Sequence, residues 1–181
     1  KQHPEIKFVS PVSGTVEAVV RGARRAIQAV TVRASQAPQP VEVGGLDVKS
    51  ASKEQVIEKL LETGAWTYFR QRPYNIVADP SAEFKGIFVS TFDTAPLAPD
   101  YDYIIRGNEA SFQAGIDVLA KIAPVYVGVH SNGASKTFTE VKNATVTVFS
   151  GAHPAGCVGV QINHVSPINA GEKVLTIQPQ E

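Results

Sequence analysis

The sequence predicts an α/β protein in which a Rossmann-like, mostly parallel sheet with helices follows a separate module of β-strands. Two observations predict this fold class. In the second part of the chain, apolar runs with the length of buried strands alternate with segments of helical periodicity, a pattern typical of strands covered by helices on both faces. In the first part, β-prone runs flank a glycine-bearing turn. We therefore assign residues 1–45 to the β module and residues 46–181 to the α/β domain.

Residues 7–34 are predicted to form three short strands. Two β-prone runs, Val12–Val20 and Ala26–Ala34, flank the segment Arg21–Arg25, in which a glycine allows the turn. Because three short strands bury little apolar surface, we expect some of their pairing partners to lie outside this sequence. The segment Gln36–Pro40 contains prolines and is typical of a linker.

Start signals and periodicity indicate two helices. Ser52 and Gln55 have the spacing of a capping box, apolar residues follow at helical spacing, and Gly64 suits the end of that helix. Asn108 suits the start of a second helix. The apolar residues of this second helix fall on one face: Phe112, Ile116, Leu119 and Ala123.

Four compact apolar runs predict the strands of the parallel sheet: Gly86–Ser90, Val125–Val129, Thr145–Phe149 and Val174–Ile177. A short helix is expected after the segment Gly151–Gly156. Residues 131–144, between the second and the third of these strands, contain no clear helix signal. Strands that alternate with helices in this way favour right-handed crossovers within one sheet.

The composition excludes several classes of function. Seventeen basic residues balance 17 acidic ones, so the net charge gives no reason to expect nucleic-acid binding. No apolar run reaches the roughly 20 residues that a membrane-spanning helix needs. The single cysteine, Cys157, excludes an internal disulfide framework and is typical of a reducing compartment. The lack of methionine and the end of the chain after an apolar run predict a piece of a larger protein. Because the sequence contains no complete catalytic motif, no self-contained catalytic site is predicted.

Polar or glycine-bearing segments follow three of the predicted strands at their carboxyl ends. Ligands bind beyond these ends in open parallel sheets. We therefore expect a ligand pocket formed by residues of the three segments: Asp93, Thr94, His130, Ser131, Asn132, Gly151, His153 and Gly156.

The third of these segments has the glycine spacing of a phosphate-binding loop. Gly151 and Gly156 match that spacing, but Cys157 and Val158 stand where such a loop has lysine and serine or threonine. Backbone amides at the start of the following helix still suit an oxygen-rich group, and the alternative is a tight turn that the glycines permit. No G-x-G-x-x-G motif follows a predicted strand, so the dinucleotide fingerprint is absent.

The remaining candidate groups allow two interpretations each. The four histidines lack the spacing of metal ligands, so no metal site is predicted. His130 and His153 both follow strands and are candidates to meet in one pocket; the alternative is that they are surface or hydrogen-bonding residues. Asp93 is a candidate ligand or acid–base group, and the alternative is that it caps the following turn. Cys157 is predicted to be a small, partly buried residue.

Arginines form two local groups. Arg21, Arg24 and Arg25 cluster at the tip of the predicted hairpin, and Arg70 and Arg72 follow an aromatic segment. The hairpin arginines are candidates for docking on an acidic partner or a membrane face. The alternative interpretation for both groups is solvated charge at turns.

Blocks of the sequence, taken in order, resemble a known family. Ser10–Val16 resembles half of a barrel-sandwich module of the biotinyl/lipoyl type, so residues 1–45 are interpreted as a truncated module of this type. Three longer blocks follow it: Gly64–Tyr74, Ile87–Ala98 and Phe149–Gly156. Together they are similar to the A subunits of the Na⁺-translocating NADH:quinone oxidoreductases of bacteria, over nearly the whole chain.

The resemblance implies a peripheral subunit on the cytoplasmic face of the bacterial inner membrane. The complex of this family passes electrons from NADH to quinone and exports Na⁺. The implied partners are its other subunits, especially the membrane-embedded B subunit, with quinone as a possible ligand near the quinone-reducing end and no nucleic acid. FAD, FMN, riboflavin and a 2Fe-2S cluster are implied in other subunits, and no cofactor is implied in this chain.

The family is itself similar to the NADH- and FMN-binding subunit of respiratory complex I, in which a glycine-rich loop after the first helix holds flavin. The comparable stretch here, Gly64–Arg70, offers one glycine among bulky aromatic residues, so the cofactor loop is predicted to be filled in. The hairpin tip, Arg21–Arg25, lacks the modifiable lysine of carrier modules. The alternative function is a flavin- or nucleotide-binding oxidoreductase domain that uses the strand-end segments.

A quinone site needs an apolar slot with one or two hydrogen-bond donors. The candidate donors are His130, Asn132 and His153, with Trp66 and Phe92 as apolar neighbours.

Overall fold

The structure is a computed structural model that describes residues 3–181. Its strands are β1 (Gly14–Arg21), β2 (Ile27–Ala34), β3 (Arg70–Arg72), β4 (Ile76–Val77), β5 (Ile87–Ser90), β6 (Val125–His130), β7 (Thr145–Phe149) and β8 (Val174–Ile177). Its α-helices are α1 (Lys53–Thr63), α2 (Tyr101–Ile105), α3 (Glu109–Ile122), α4 (Lys136–Thr139) and α5 (Val158–Val165). None of the helices described has both the length and the apolarity that a membrane crossing requires.

Strands β1 and β2 form an antiparallel hairpin that the sequence predicted. A register shift between Val16 and Ala18 leaves Glu17 without a residue opposite it in the strand pairing, although its carboxylate bonds the Arg33 side chain. The bulge adds one residue to β1, so the alternation of its side chains is shifted by one position after Glu17. Two valine pairs, Val16 with Val32 and Val19 with Val30, therefore lie on one face of the hairpin. Since Val16, Val19 and Val30 remain 45–57% exposed, the valine face lacks a cover within the part of the chain described.

The predicted third strand before Gly14 is wrong. The side-chain hydroxyl of Ser10 bonds both the amide and the carbonyl of Val12, at 3.3 and 2.7 Å, so this segment makes a local turn. Pro11 lacks an amide hydrogen and cannot donate to a strand ladder. The hairpin is therefore two-stranded.

The second sheet has six strands in the order β4-β3-β8-β5-β6-β7. The four predicted strands, β5 to β8, are parallel to their neighbours within this set. The edge pair β3 and β4 is antiparallel and was not predicted, because these strands have only three and two residues and little apolar alternation. The sheet is therefore mixed.

The three predicted helices, α1, α3 and the short helix α5, are confirmed. At the start of α1 the Gln55 amide donates to the Ser52 hydroxyl at 3.3 Å, and the Ser52 amide donates to the Gln55 side-chain oxygen at 2.9 Å. Gly64 ends α1 with a φ of 78°, a left-handed conformation that glycine adopts without a steric penalty. The short helices α2 and α4 were missed, since five and four residues give too little periodicity to detect.

Helices cover both faces of the six-stranded sheet. Along β5, Ile87 and Val89 join the larger core beneath α1 and α3, whereas Phe88 joins a smaller core with Ile162 of α5. This alternation follows from the two-residue period of a strand. Buried strands with apolar residues on both faces explain why their sequences are continuous apolar runs.

A salt bridge supports the entry to β8. The Glu172 carboxylate accepts hydrogen bonds from the Lys85 ammonium at 2.8 Å and from the Asn169 amide at 2.8 Å. These hydrogen bonds, with that from Lys85 the strongest cause, lower the pKa of Glu172 from 4.5 to about 2. The negative charge is thus favoured in the folded chain.

We expect Glu172→Gln to weaken the fold at neutral pH and to remove a part of its acid sensitivity. A carboxyl group whose pKa is lower in the folded state stabilises the fold above pH 4.5 and loses this contribution as the pH falls towards about 2. Urea unfolding midpoints across this range measure the effect. The control Glu83→Gln, at a carboxylate whose side chain is 88% exposed in its salt bridge to Lys53, should change the profile little. Parallel pH profiles for wild type and Glu172→Gln would contradict the assignment.

Candidate functional site

The strand order places a crevice between the carboxyl ends of β5 and β8. Strands β6 and β7 lie on one side of β5, and β8 lies on the other. The connection after β5 packs α3 on the larger core, and the connection before β8 packs α5 on the smaller core. In open α/β sheets ligands bind where the strand order reverses in this way. Two cavities open at this edge, one on each face of the sheet.

The predicted segments after β5 and β7 contact each other directly. The Thr94 hydroxyl lies 3.2 Å from Nδ1 of His153 and accepts a hydrogen bond from the Gly156 amide at 3.0 Å. Ser90, at the end of β5, bonds the side chain of buried Gln161 on α5 at 2.8 Å. The two segments are therefore joined by hydrogen bonds.

Gly156 is the point of closest approach between these segments. A Cβ atom at this position would lie 2.5 Å from the Thr94 amide nitrogen and 2.6 Å from the Asp93 Cα. Backbone atoms cannot move aside as a flexible side chain can, so only glycine fits there. Gly151 has a φ of 127°, a conformation that also favours glycine. The paired glycines thus serve a tight strand-to-helix turn, which was one of the two interpretations of their spacing.

Asp93 caps the turn that follows it. One carboxylate oxygen accepts the Thr94 amide at 2.6 Å and the Ala95 amide at 2.9 Å. The turn-capping interpretation of Asp93 is therefore confirmed.

The segment after β6 lies beside an aromatic pair. The ring of His130 lies 5.1 Å from that of Phe92, which lies 6.4 Å from Phe149. Nδ1 of His130 accepts the Asn132 amide at 3.2 Å, and the Ser131 amide donates to the Phe149 carbonyl at 2.8 Å. His130 thus contacts the β5 segment through Phe92, whereas His153 contacts it through Thr94.

Sequence reasoning placed Asp93 and Gly156 in a ligand pocket, but not the arginines that also line the larger cavity. It has a volume of about 790 Å³, opens on the face covered by α5 and is called the arginine cavity below. Its lining includes Arg70, Arg72, Ser90, Asp93, Tyr101 and Thr176. The two arginines were visible in the sequence at alternate positions, the spacing that puts strand residues on one face. Their position in a cavity depends on β3 pairing with β8, which the sequence did not indicate.

The second cavity, on the face of α1 and α3, has a volume of about 550 Å³. Apolar side chains from three helices and the sheet line most of it, and Asn108 and Ser111 add polar groups. Trp66 was expected to lie beside a quinone ligand, but it is not available to one. Its side chain is fully buried, and its indole N–H donates to the Ala78 carbonyl at 2.9 Å. Trp66 is a core residue.

Two further expectations concern Cys157 and metals. Cys157 is partly buried directly before α5, as predicted. Within residues 3–181, no three His, Cys, Asp or Glu side chains are grouped so that they could hold a metal ion.

Two family models match the chain. One, described as the NqrA second alpha/beta domain, matches residues 51–181, and the other, described as the NqrA N-terminal barrel-sandwich hybrid domain, matches residues 1–35.

Curated relatives, each named as the A subunit of a Na⁺-translocating NADH-quinone reductase, align with nearly all of the chain. The protein of Saccharophagus degradans is 36% identical over 179 residues, which cover 97% of the chain and 40% of the relative. That of Pseudomonas aeruginosa is 34% identical, with coverages of 100% and 41%. That of Vibrio vulnificus is 35% identical, also with coverages of 100% and 41%. The chain therefore spans about two fifths of the length of these relatives.

Proposed function

The chain belongs to the family of the A subunits of the Na⁺-translocating NADH-quinone reductases, and from this premise we propose that it is part of a peripheral subunit of such a complex. In this function it supports electron transfer from NADH to quinone, coupled to Na⁺ export, without catalysing a step by itself. The match of the α/β domain over residues 51–181 is the observation that carries the proposal.

We propose that the α/β domain is of the Rossmann type and holds no redox cofactor. The reversal of strand order between β5 and β8 and the helices on both faces support the fold assignment. The absence of a cofactor is supported by the contact between Gly156 and the Asp93–Thr94 backbone, which fills the space between two strand-end segments. Flavins and the 2Fe-2S cluster then belong to other subunits of the complex.

The domain boundary near residue 45 is also proposed. Residues 1–35 match the barrel-sandwich family model, and the α/β match begins at residue 51. Between β2 and α1 the chain forms no strand or α-helix. A hairpin with an exposed valine face suits an incomplete barrel-sandwich module.

For quinone, the second cavity, on the face of α1 and α3, is the better-supported location. It combines apolar walls with the amide of Asn108 and the hydroxyl of Ser111, which are suitable donors for quinone carbonyl oxygens. The Asn108 side chain makes no capping hydrogen bond to α3 and can therefore turn to a ligand. His130, Asn132 and His153 remain the alternative donors at the strand ends.

The proposed partners are the other subunits, especially the membrane-embedded B subunit, on the cytoplasmic face of the bacterial inner membrane. The hairpin tip is the proposed docking surface. Arg21, Arg24 and Arg25 are exposed there, and none of the ion pairs within residues 3–181 involves them. Unpaired surface charge steers and orients association with an acidic partner.

Charge reversal at this tip, with Arg24→Glu and Arg25→Glu, is expected to weaken assembly at least about tenfold. Both residues have left-handed backbones, φ 55° and 61°, that glutamate adopts no worse than arginine, so the hairpin should persist. Co-purification of the other subunits at graded salt concentrations measures the effect. The matched double variant Arg24→Lys and Arg25→Lys should assemble normally. Normal assembly of the charge-reversed variant would remove the tip from the interface.

Affinity purification tests the proposed function as a whole. A tagged protein that contains this chain should be recovered from membranes with the other subunits, and the product should reduce quinone with NADH in a Na⁺-stimulated reaction. Recovery of the tagged protein alone, or of a complex whose activity does not respond to Na⁺, would contradict the proposal.

A further inference from the structure

The two arginines of the arginine cavity point to the same face of the sheet. Arg70 and Arg72 are the first and third residues of β3, and they lie opposite Thr176 and Val174 of β8. Residues opposite each other in an antiparallel pair share a face, and Val174 packs in the smaller core on the α5 side. Both guanidinium groups therefore belong to the face that carries the cavity, as its lining confirms.

These guanidinium groups lack partners within residues 3–181. Neither arginine takes part in an ion pair there, and Nε of Arg72 is buried without a hydrogen-bond acceptor. A buried donor on a charged group that finds no acceptor is costly, so native proteins rarely retain one unless something else bonds it. The unsatisfied donor and the positive charge call for an anion with several oxygen acceptors.

The cavity also contains acidic groups, and they lie near Tyr101. Asp93, Tyr101 and Glu181 all line the cavity, and burial, followed by the charges of the two carboxylates, raises the pKa of Tyr101 above its usual value. Asp93 is already bonded by the Thr94 and Ala95 amides. The lining thus combines two guanidinium groups with carboxylates that can accept hydrogen bonds from the hydroxyl groups of a ligand.

We propose that the arginine cavity binds a small phosphorylated ligand, with its phosphate on Arg70 and Arg72. Phosphate presents three oxygens to the two planar guanidinium groups, which suit bidentate hydrogen bonds. Hydroxyl groups of Thr67, Ser90 and Thr176 line the same cavity but already donate to backbone carbonyls, so the two arginines provide the charged donors for the phosphate. The site shares Asp93 and Gly156 with the strand-end segments, but its arginines come from β3, and it does not depend on the proposed place of the chain in the complex.

Calorimetric titration of the chain with inorganic phosphate tests the inference, with citrate and chloride at matched ionic strength as the other arms. We expect saturable phosphate binding that Arg70→Gln and Arg72→Gln each weaken about tenfold or more. The control Arg106→Gln, on an exposed arginine beside Tyr103, should bind as wild type does.

A second variant separates binding from folding. Gly159 lines the cavity from α5, and a Cβ there meets no atom outside its own stretch of helix within 4 Å, so the side chain of Gly159→Leu should take up part of the cavity while the fold is kept. Loss of phosphate binding in this variant, with an unchanged unfolding midpoint, supports the inference. Equal binding by all variants, the absence of saturation, or tighter binding of citrate than of phosphate would overturn it.

Discussion

Replacement of Trp66 by alanine is expected to lower the free energy of unfolding by about 3–5 kcal/mol. The side chain is fully buried in the larger core and its ring lies 5.0 Å from that of Phe69. Alanine would leave a cavity and remove the indole hydrogen bond to the Ala78 carbonyl. Because small domains have only about 5–15 kcal/mol of stability, much of the fold's margin would be lost.

Urea unfolding followed by circular dichroism measures this loss. The conservative variant Trp66→Phe keeps most of the ring volume but not the indole donor, so its cost should be smaller and report on the hydrogen bond. Tyr74→Ala, at a residue 79% exposed, should stay within about 0.5 kcal/mol of wild type. An effect of Trp66→Ala as small as that of Tyr74→Ala would show that the tryptophan lies at a ligand slot rather than in the core.

Valine at Gly156 is expected to destabilise the fold by at least about 1–3 kcal/mol. The new Cβ would fall within 2.7 Å of the Asp93 and Thr94 backbone, so the segments after β5 and β7 must separate. Their separation also strains the hydrogen bond from the Gly156 amide to the Thr94 hydroxyl.

Gly159→Ala is the matched control for Gly156→Val. It adds a Cβ three residues further along, inside α5, where no atom lies within 4 Å, and a helical alanine should stabilise the chain by about 0.5–1 kcal/mol. Thermal unfolding of both variants provides the comparison. A neutral Gly156→Val would mean that the two segments do not pack as described.

The helices and parallel strands could be predicted because their signals are local. The capping box at Ser52, the one-sided apolar residues of α3 and the apolar runs of β5 to β8 each lie within a short stretch of sequence. The strand β3 could not be predicted, since Arg70-Gln71-Arg72 becomes a strand only by pairing with β8 about a hundred residues later.

The candidate site shows the same division between local and distant information. The glycine spacing from Gly151 to Gly156 was visible, but the partner that fills the turn, Thr94, lies about 60 residues earlier in the chain. Turn capping by Asp93 could be predicted as an alternative, because its carboxylate accepts hydrogen bonds from the amides of its own neighbours in the chain. The burial of Trp66 could not be predicted, because it depends on packing that no single segment encodes.

Titration of the purified chain with riboflavin, followed by flavin fluorescence, tests most directly whether the strand-end segments exclude the redox-active ring system of a flavin. Riboflavin carries that ring without a phosphate, so its binding does not require the phosphate contacts proposed for Arg70 and Arg72. The contact of Gly156 with the Asp93–Thr94 backbone predicts no saturable change in fluorescence. Stoichiometric binding that His153→Ala or His130→Ala abolishes would contradict it and would give the chain a flavin site of its own.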